Sequence, residues 1–180
     1  MRVFIFLAEG FEEIEAIAPI DILRRAGFDV ATVSISDTKS VTGAHGITVL
    51  ADKLFTEADF SIVDLLYLPG GMPGTINLDA HVGLKKLIQR QMNDGKNVAA
   101  ICAAPSILGK LGLLADKEAI CYPGFENQLS GAIISKQKIV KDGNISTAKG
   151  AGVAIQFAID LINSLKNKDL ADKIAESICL

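Results

Sequence analysis

Histidine and cysteine are scarce in this chain. Cys102, Cys121 and Cys179 are an odd number, no C-x-x-C pair occurs, and His45 and His81 are the only imidazoles. That set argues against a disulfide framework and falls short of a structural zinc site, so no metal is expected. No run of Lys and Arg stands out and the net charge is −3, which sets the chain apart from nucleic-acid binders. Long apolar runs are missing too. Nothing approaches the roughly 18–20 apolar residues that span a bilayer, so no membrane partner is expected. The opening "MRVFIFLAEGFEE" turns acidic after a few apolar residues and has no small-residue cleavage site. It is too short for a signal peptide, which makes the cytoplasm the default location.

What is present is enough for one domain over residues 1–180, with 49% hydrophobic and 22% charged residues. Strand and helix signals alternate. "VFIFLA" (Val3–Ala8) reads as a strand buried on both faces, and a helix follows over Glu13–Ala26, stopped by Gly27. "FDVATVSI" (Phe28–Ile35) and "DLLYL" (Asp64–Leu68) are further strands. "KSVTGAHGITVLAD" reads as a hairpin or strand pair around Gly43 and Gly46. Helix Val82–Asn93 precedes strand "NVAAI" and helix Pro105–Leu111. Asp142-Gly143 marks a hairpin, and helices over Val153–Leu165 and Asp169–Ile178 close the chain. This order predicts an α/β fold with a mostly parallel sheet covered on both faces. Ligands bind beyond the carboxyl ends of such strands, where "EGFEE", "PGGMPG" and "CAAP" fall.

Three features in those loops carry chemical interest. On a helical wheel advancing about 100° per residue from Ile14, the apolar arc runs from about 40° to 240° and Glu15 falls inside it, near 100°. A carboxylate there is desolvated and its pKa rises; alternatively it sits in the first turn, where the helix dipole suits it and solvent is in reach. Pro19 lacks the N–H that would bond the Glu15 carbonyl. Glu9, Glu12 and Glu13 read as solvated acids.

Cys102 ends a strand just before Ala103, Ala104 and Pro105. Such a turn presents a nucleophile, and the helix N-terminus favours its thiolate; a buried inert cysteine is the alternative. Gly70 and Gly71 follow a strand and offer backbone N–H groups for an oxyanion, or form a glycine-rich turn. Gly150-Ala151-Gly152 does not complete G-x-G-x-x-G, so no dinucleotide site is read.

The segments "EGFEEIEAIAPIDILRRAG", "VTGAHGITVLAD", "LPGGMPGTINL", "AAICAAPSILGKLGLL", "CYPGFE" and "VKDGNISTAKGAG" together resemble the ThiJ/PfpI superfamily, in particular its Parkinsonism-associated deglycase and ThiJ-like branch. The resemblance implies a flavodoxin-like three-layer sandwich, similar to class I glutamine amidotransferases, and a homodimer. It implies that Cys102 is the reactive cysteine and Glu15 a protonated acid that donates to its thiolate. The backbone at Gly70, Gly71 and Ala103 would form an anion pocket. Several members carry a histidine where this chain has Tyr122, which puts a protease-like triad in doubt. Tyr122 would then be a hydrogen-bond donor or proton relay, or a packed aromatic beside a turn. His45 would line the site from a second subunit, or be a surface loop residue, and His81 is expected in solvent. Lys149 replaces the family's arginine and keeps charge without the bidentate fork. Cys121 is either a resolving thiol or a small packed residue.

The resemblance implies a cysteine-dependent, cofactor-independent enzyme acting on reactive carbonyls, with glyoxalase-type or deglycase-type chemistry on methylglyoxal or its adducts. Its partner is a small carbonyl substrate or a glycated thiol or amine. The alternative is a redox-responsive or chaperone-like stress protein whose Cys102 oxidises to sulfinic acid. A peptidase or amidase ranks below both.

Overall fold

A computed structural model describes residues 1–180. In chain order the elements are β1 (Arg2–Leu7), α1 (Glu13–Arg25), β2 (Asp29–Ser34), β3 (Ser40–Thr42), β4 (Thr48–Leu50), β5 (Lys53–Leu54), β6 (Leu65–Leu68), α2 (Gly74–Ala80), α3 (Val82–Asn93), β7 (Asn97–Ile101), α4 (Pro105–Lys110), β8 (Glu118–Ala119), β9 (Ile133–Ile134), β10 (Ile139–Asp142), β11 (Ile145–Ala148), α5 (Ala154–Leu165) and α6 (Lys168–Ser177).

Seven strands form one sheet in the order β10-β11-β7-β6-β1-β2-β5. Every pairing is parallel except that of β10 with β11, which meet at the Asp142-Gly143 turn. Alternation along β1 sorts the core. Val3, Ile5 and Leu7 point into a cluster shared with α1, α5 and α6, while Phe4, Phe6 and Ala8 point into a second one with α2, α3 and α4. A strand that feeds both faces must be apolar throughout, which is why "VFIFLA" is unbroken. Helices on both sides of a mostly parallel sheet make the expected flavodoxin-like sandwich.

Two elements depart from the sequence-based expectation. No sequence signal marks helix α2: its "GTINLDA" run is too short to show periodicity and buries only Gly74, Thr75 and Leu78. His81 does not stand in solvent. It caps α3, its Nδ1 accepting the Leu84 N–H at 2.9 Å, with its ring 4.5 Å from that of Phe55. Partial burial lowers its pKa.

Candidate active site

Loops from the carboxyl ends of β1, β6, β7 and β11 converge, as the parallel order requires. Cys102 follows β7 at φ 64°, a conformation uncommon outside glycine. Two backbone hydrogen bonds hold it there: its N–H donates to Ala148 at 2.9 Å and its carbonyl accepts from Tyr122 at 2.7 Å. Ala103 and Ala104 are buried, and Pro105 opens α4. The cysteine thus sits on a tight strand-to-helix turn with its side chain partly exposed.

Glu15 lies inside the apolar face of α1, as the wheel predicts, and is 1% exposed. Its Oε2 accepts the Gly70 N–H at 2.9 Å, and it hydrogen-bonds the Cys102 side chain. The carbonyl freed by Pro19 is not left orphaned: the Tyr67 hydroxyl donates to it at 3.0 Å. Gly70 is where everything meets. A Cβ there would stand 2.6 Å from both Cys102 Cβ and Glu15 Oε2. Gly71, at φ 91°, packs as tightly against the Glu12 amide.

Burial pushes Glu15 up to about 7, while its hydrogen bonds with Cys102, Gly70 and Ala151 work the other way. Burial, followed by the charge of Glu15, pushes the Cys102 thiol up to about 12. Helix α4 has only six residues, so its N-terminus acts on the sulfur chiefly through the Ala103 N–H, which favours the thiolate against burial. Two acids in contact titrate as a pair. Between those two values the pair holds one proton and one negative charge. With the proton on Glu15, the sulfur is a thiolate facing the N–H groups of Gly71 and Ala103. With the proton on sulfur, the carboxylate faces those of Gly70 and Ala151.

The remaining expected site residues fall differently. The Gly70 N–H is committed to Glu15 and is not free for an oxyanion. Tyr122 is 51% exposed and its hydroxyl makes no hydrogen bond, so it is not a packed aromatic; its ring lies against Gly150. It borders a cavity of about 420 Å³ together with Lys138, Lys149, Gly150 and Val153. Neither lysine has an acidic partner within 4.0 Å. His45 is exposed and bonds Glu13, its Nδ1 2.8 Å from Oε2, with no hydrogen bond to Cys102 or Glu15. Glu13 is buried rather than solvated. Burial opposes its charge, but hydrogen bonds from His45 and Ile47 hold its pKa low. Glu12, Glu13 and His45 have donor atoms within 4.8 Å of one another. Hydrogen bonds account for that arrangement, and we assign it no ion. Cys121 is fully buried in the core with α3 and α4, which fits the small packed residue of the two alternatives, whereas Cys102 packs against the opposite core.

Sequence reasoning missed Tyr67 and Ala151. The signal for Tyr67 was a lone phenol in the apolar strand "LLYL", which needs a polar partner once buried. Nothing in the sequence marked the Ala151 backbone.

The DJ-1/PfpI family model matches residues 1–164. The chain is 39% identical to protein DJ-1 homolog A of Arabidopsis thaliana over 99% of its length, but spans only 46% of that protein. It is 31% identical to Drosophila melanogaster protein dj-1beta, covering 97% of this chain and 94% of that one. A deglycase of Pyrococcus abyssi is 31% identical over 92% of this chain and 100% of its own. Among solved structures, oxidized Toxoplasma gondii DJ-1 superposes with a TM-score of 0.95 at 37% identity, covering 99% of this chain and 97% of that one. A buried acid bonded to a cysteine on a tight turn therefore stands on a fold shared along nearly the whole chain, and the protein belongs to the DJ-1/PfpI family.

Proposed function

We propose that the protein converts small reactive carbonyls, with Cys102 as nucleophile and Glu15 as the proton carrier. The observation behind this reading is the meeting of the Cys102 side chain and the buried Glu15 carboxyl at Gly70, where burial raises the Glu15 pKa. In the form with Glu15 protonated, the thiolate attacks the aldehyde carbon of methylglyoxal. A C–S bond forms, the carbonyl π pair moves to oxygen, and Glu15 gives that oxygen its proton, leaving a hemithioacetal. Glu15, now a carboxylate, takes the proton from the former aldehyde carbon, and the C–H electron pair moves toward the ketone oxygen to give an enediolate. Glu15 returns the proton to the neighbouring carbon while the hydroxyl proton passes from the sulfur-bearing carbon to the enediolate oxygen. The product is a lactoyl thioester. Water hydrolyses it to lactate and frees the sulfur. No external oxidant or reductant enters. The deglycase name of the Pyrococcus abyssi relative agrees with this class of substrate. Purified protein is expected to turn methylglyoxal into lactate, and Cys102→Ala to reduce that rate to background. Equal rates for the two would reject the reading.

A second reading has an observation of its own. Cys102 is partly exposed and faces backbone N–H donors, whereas Cys121 is buried. A thiolate so placed attacks peroxide, expels hydroxide and becomes a sulfenic acid, and a second equivalent gives the sulfinic acid. After mild peroxide treatment, mass spectrometry should find Cys102 oxidised well before Cys121 and Cys179. Even oxidation of all three would count against it. The homodimer expectation finds support in Ile14 and Ile17, apolar residues exposed on α1.

A further inference from the structure

We propose that Tyr67 is a positioning residue for Glu15, supplying through its hydroxyl the hydrogen bond that Pro19 denies the helix. In an unbroken helix the N–H of residue 19 would bond the carbonyl of residue 15. Pro19 lies inside α1 and has no N–H to give. The carbonyl it orphans belongs to a residue 1% exposed, where water cannot substitute. Tyr67 comes from the neighbouring layer to fill the slot at 3.0 Å. The phenol itself is fully buried, with its ring 5.9 Å from that of Phe157, so it has little freedom to point elsewhere.

The consequence reaches the reacting atoms. Tyr67 and Gly70 lie three residues apart on β6 and the loop it leads into. Tyr67 grips Glu15 by its backbone carbonyl and Gly70 grips it by its carboxyl, at 2.9 Å. Tyr67 also pairs with Ala99 on β7, the strand that delivers Cys102. The acid and the cysteine are thereby referred to one rigid pair of strands, although Glu15 sits on a helix weakened at that turn. Burial keeps the phenol protonated far into alkaline pH, so it is a fixed donor and takes no part in proton transfer.

This inference rests on the Cys102–Glu15 reading above, and the test separates the two. Cys102 alkylation by iodoacetamide is followed by mass spectrometry from pH 5 to 10 in wild type, Tyr67→Phe, Pro19→Ala and the double variant. Tyr67→Phe keeps the ring in the core and removes only the hydroxyl. It should slow alkylation at pH 7 by about 5- to 10-fold, the worth of one buried hydrogen bond, and displace the pH midpoint. Pro19→Ala restores a backbone donor in register, so the double variant should return to within about twofold of wild type. Since that donor also repairs the helix, the double variant remains informative even if Tyr67→Phe folds poorly. A Tyr67→Phe profile identical to wild type overturns the inference and leaves the Cys102–Glu15 reading intact. So does a slowed Tyr67→Phe that Pro19→Ala fails to rescue. A wild-type profile that is merely that of a free thiol overturns both.

Discussion

Glu15→Gln is expected to cut methylglyoxal turnover at neutral pH by about 10²-fold or more, the usual worth of a positioned acid–base group. Glutamine fills the same space and still meets the Gly70 loop, but it carries no transferable proton. Turnover should fall through kcat, since the cavity beside Tyr122 is untouched. The same substitution should change how stability depends on pH. The Glu15 pKa rises on folding from 4.5 to about 7, so the native state holds an extra proton between those values. Stability from that proton is fully present below the unfolded value and is lost as pH rises through the folded one. Wild type should therefore lose about 3 kcal/mol relative to Glu15→Gln across this window. Thermal melts of both proteins at pH 4.5 and pH 8 measure it. Parallel curves would mean that Glu15 is not held protonated.

The second large effect belongs to Gly70→Ala. A methyl group here has no room, with Cys102 Cβ and Glu15 Oε2 both 2.6 Å away. Overpacking of this kind costs about 1–3 kcal/mol in stability. The functional loss should be larger in proportion, because both neighbours that must yield are the reacting pair. The backbone of Gly70 cannot retreat freely, since its N–H holds Glu15 and its carbonyl accepts the Glu12 N–H at 3.0 Å. Turnover and Cys102 alkylation should both drop about 10²-fold while the protein stays folded, the scale on which small displacements act on reacting groups. Circular dichroism and activity on one sample decide it. Full activity would show that the acid and the cysteine need not touch.

Much of this site is legible in the sequence. The 3.6-residue period alone placed Glu15 among apolar residues, because one face of α1 must meet the sheet. The unbroken run in β1 gave both faces of the sandwich, and Asp142-Gly143 its antiparallel edge. Other features depend on contacts distant in sequence. The positive φ of Cys102 is held by Ala148 and Tyr122, which no local pattern joins to it. Pro19 signalled a missing donor, but that Tyr67, 52 positions from Glu15, supplies one depends on how α1 packs on β6. The burial of Glu13 arises because the β3–β4 turn folds over it, with the His45 N–H 2.8 Å from its carboxyl. The family resemblance added the pairing of Cys102 with Glu15. It did not reveal that Gly70 serves the acid and not an oxyanion.

Cys102 and Glu15 are expected to share one proton at neutral pH. Loss of the first proton near pH 7 counts two routes, one from each group, and Glu15→Gln leaves only the route through sulfur. The most direct measurement is the pH dependence of Cys102 alkylation in the two proteins. The wild-type midpoint is expected near 7 and that of Glu15→Gln higher. A midpoint near a free thiol's value of about 8.5 in both proteins would contradict it.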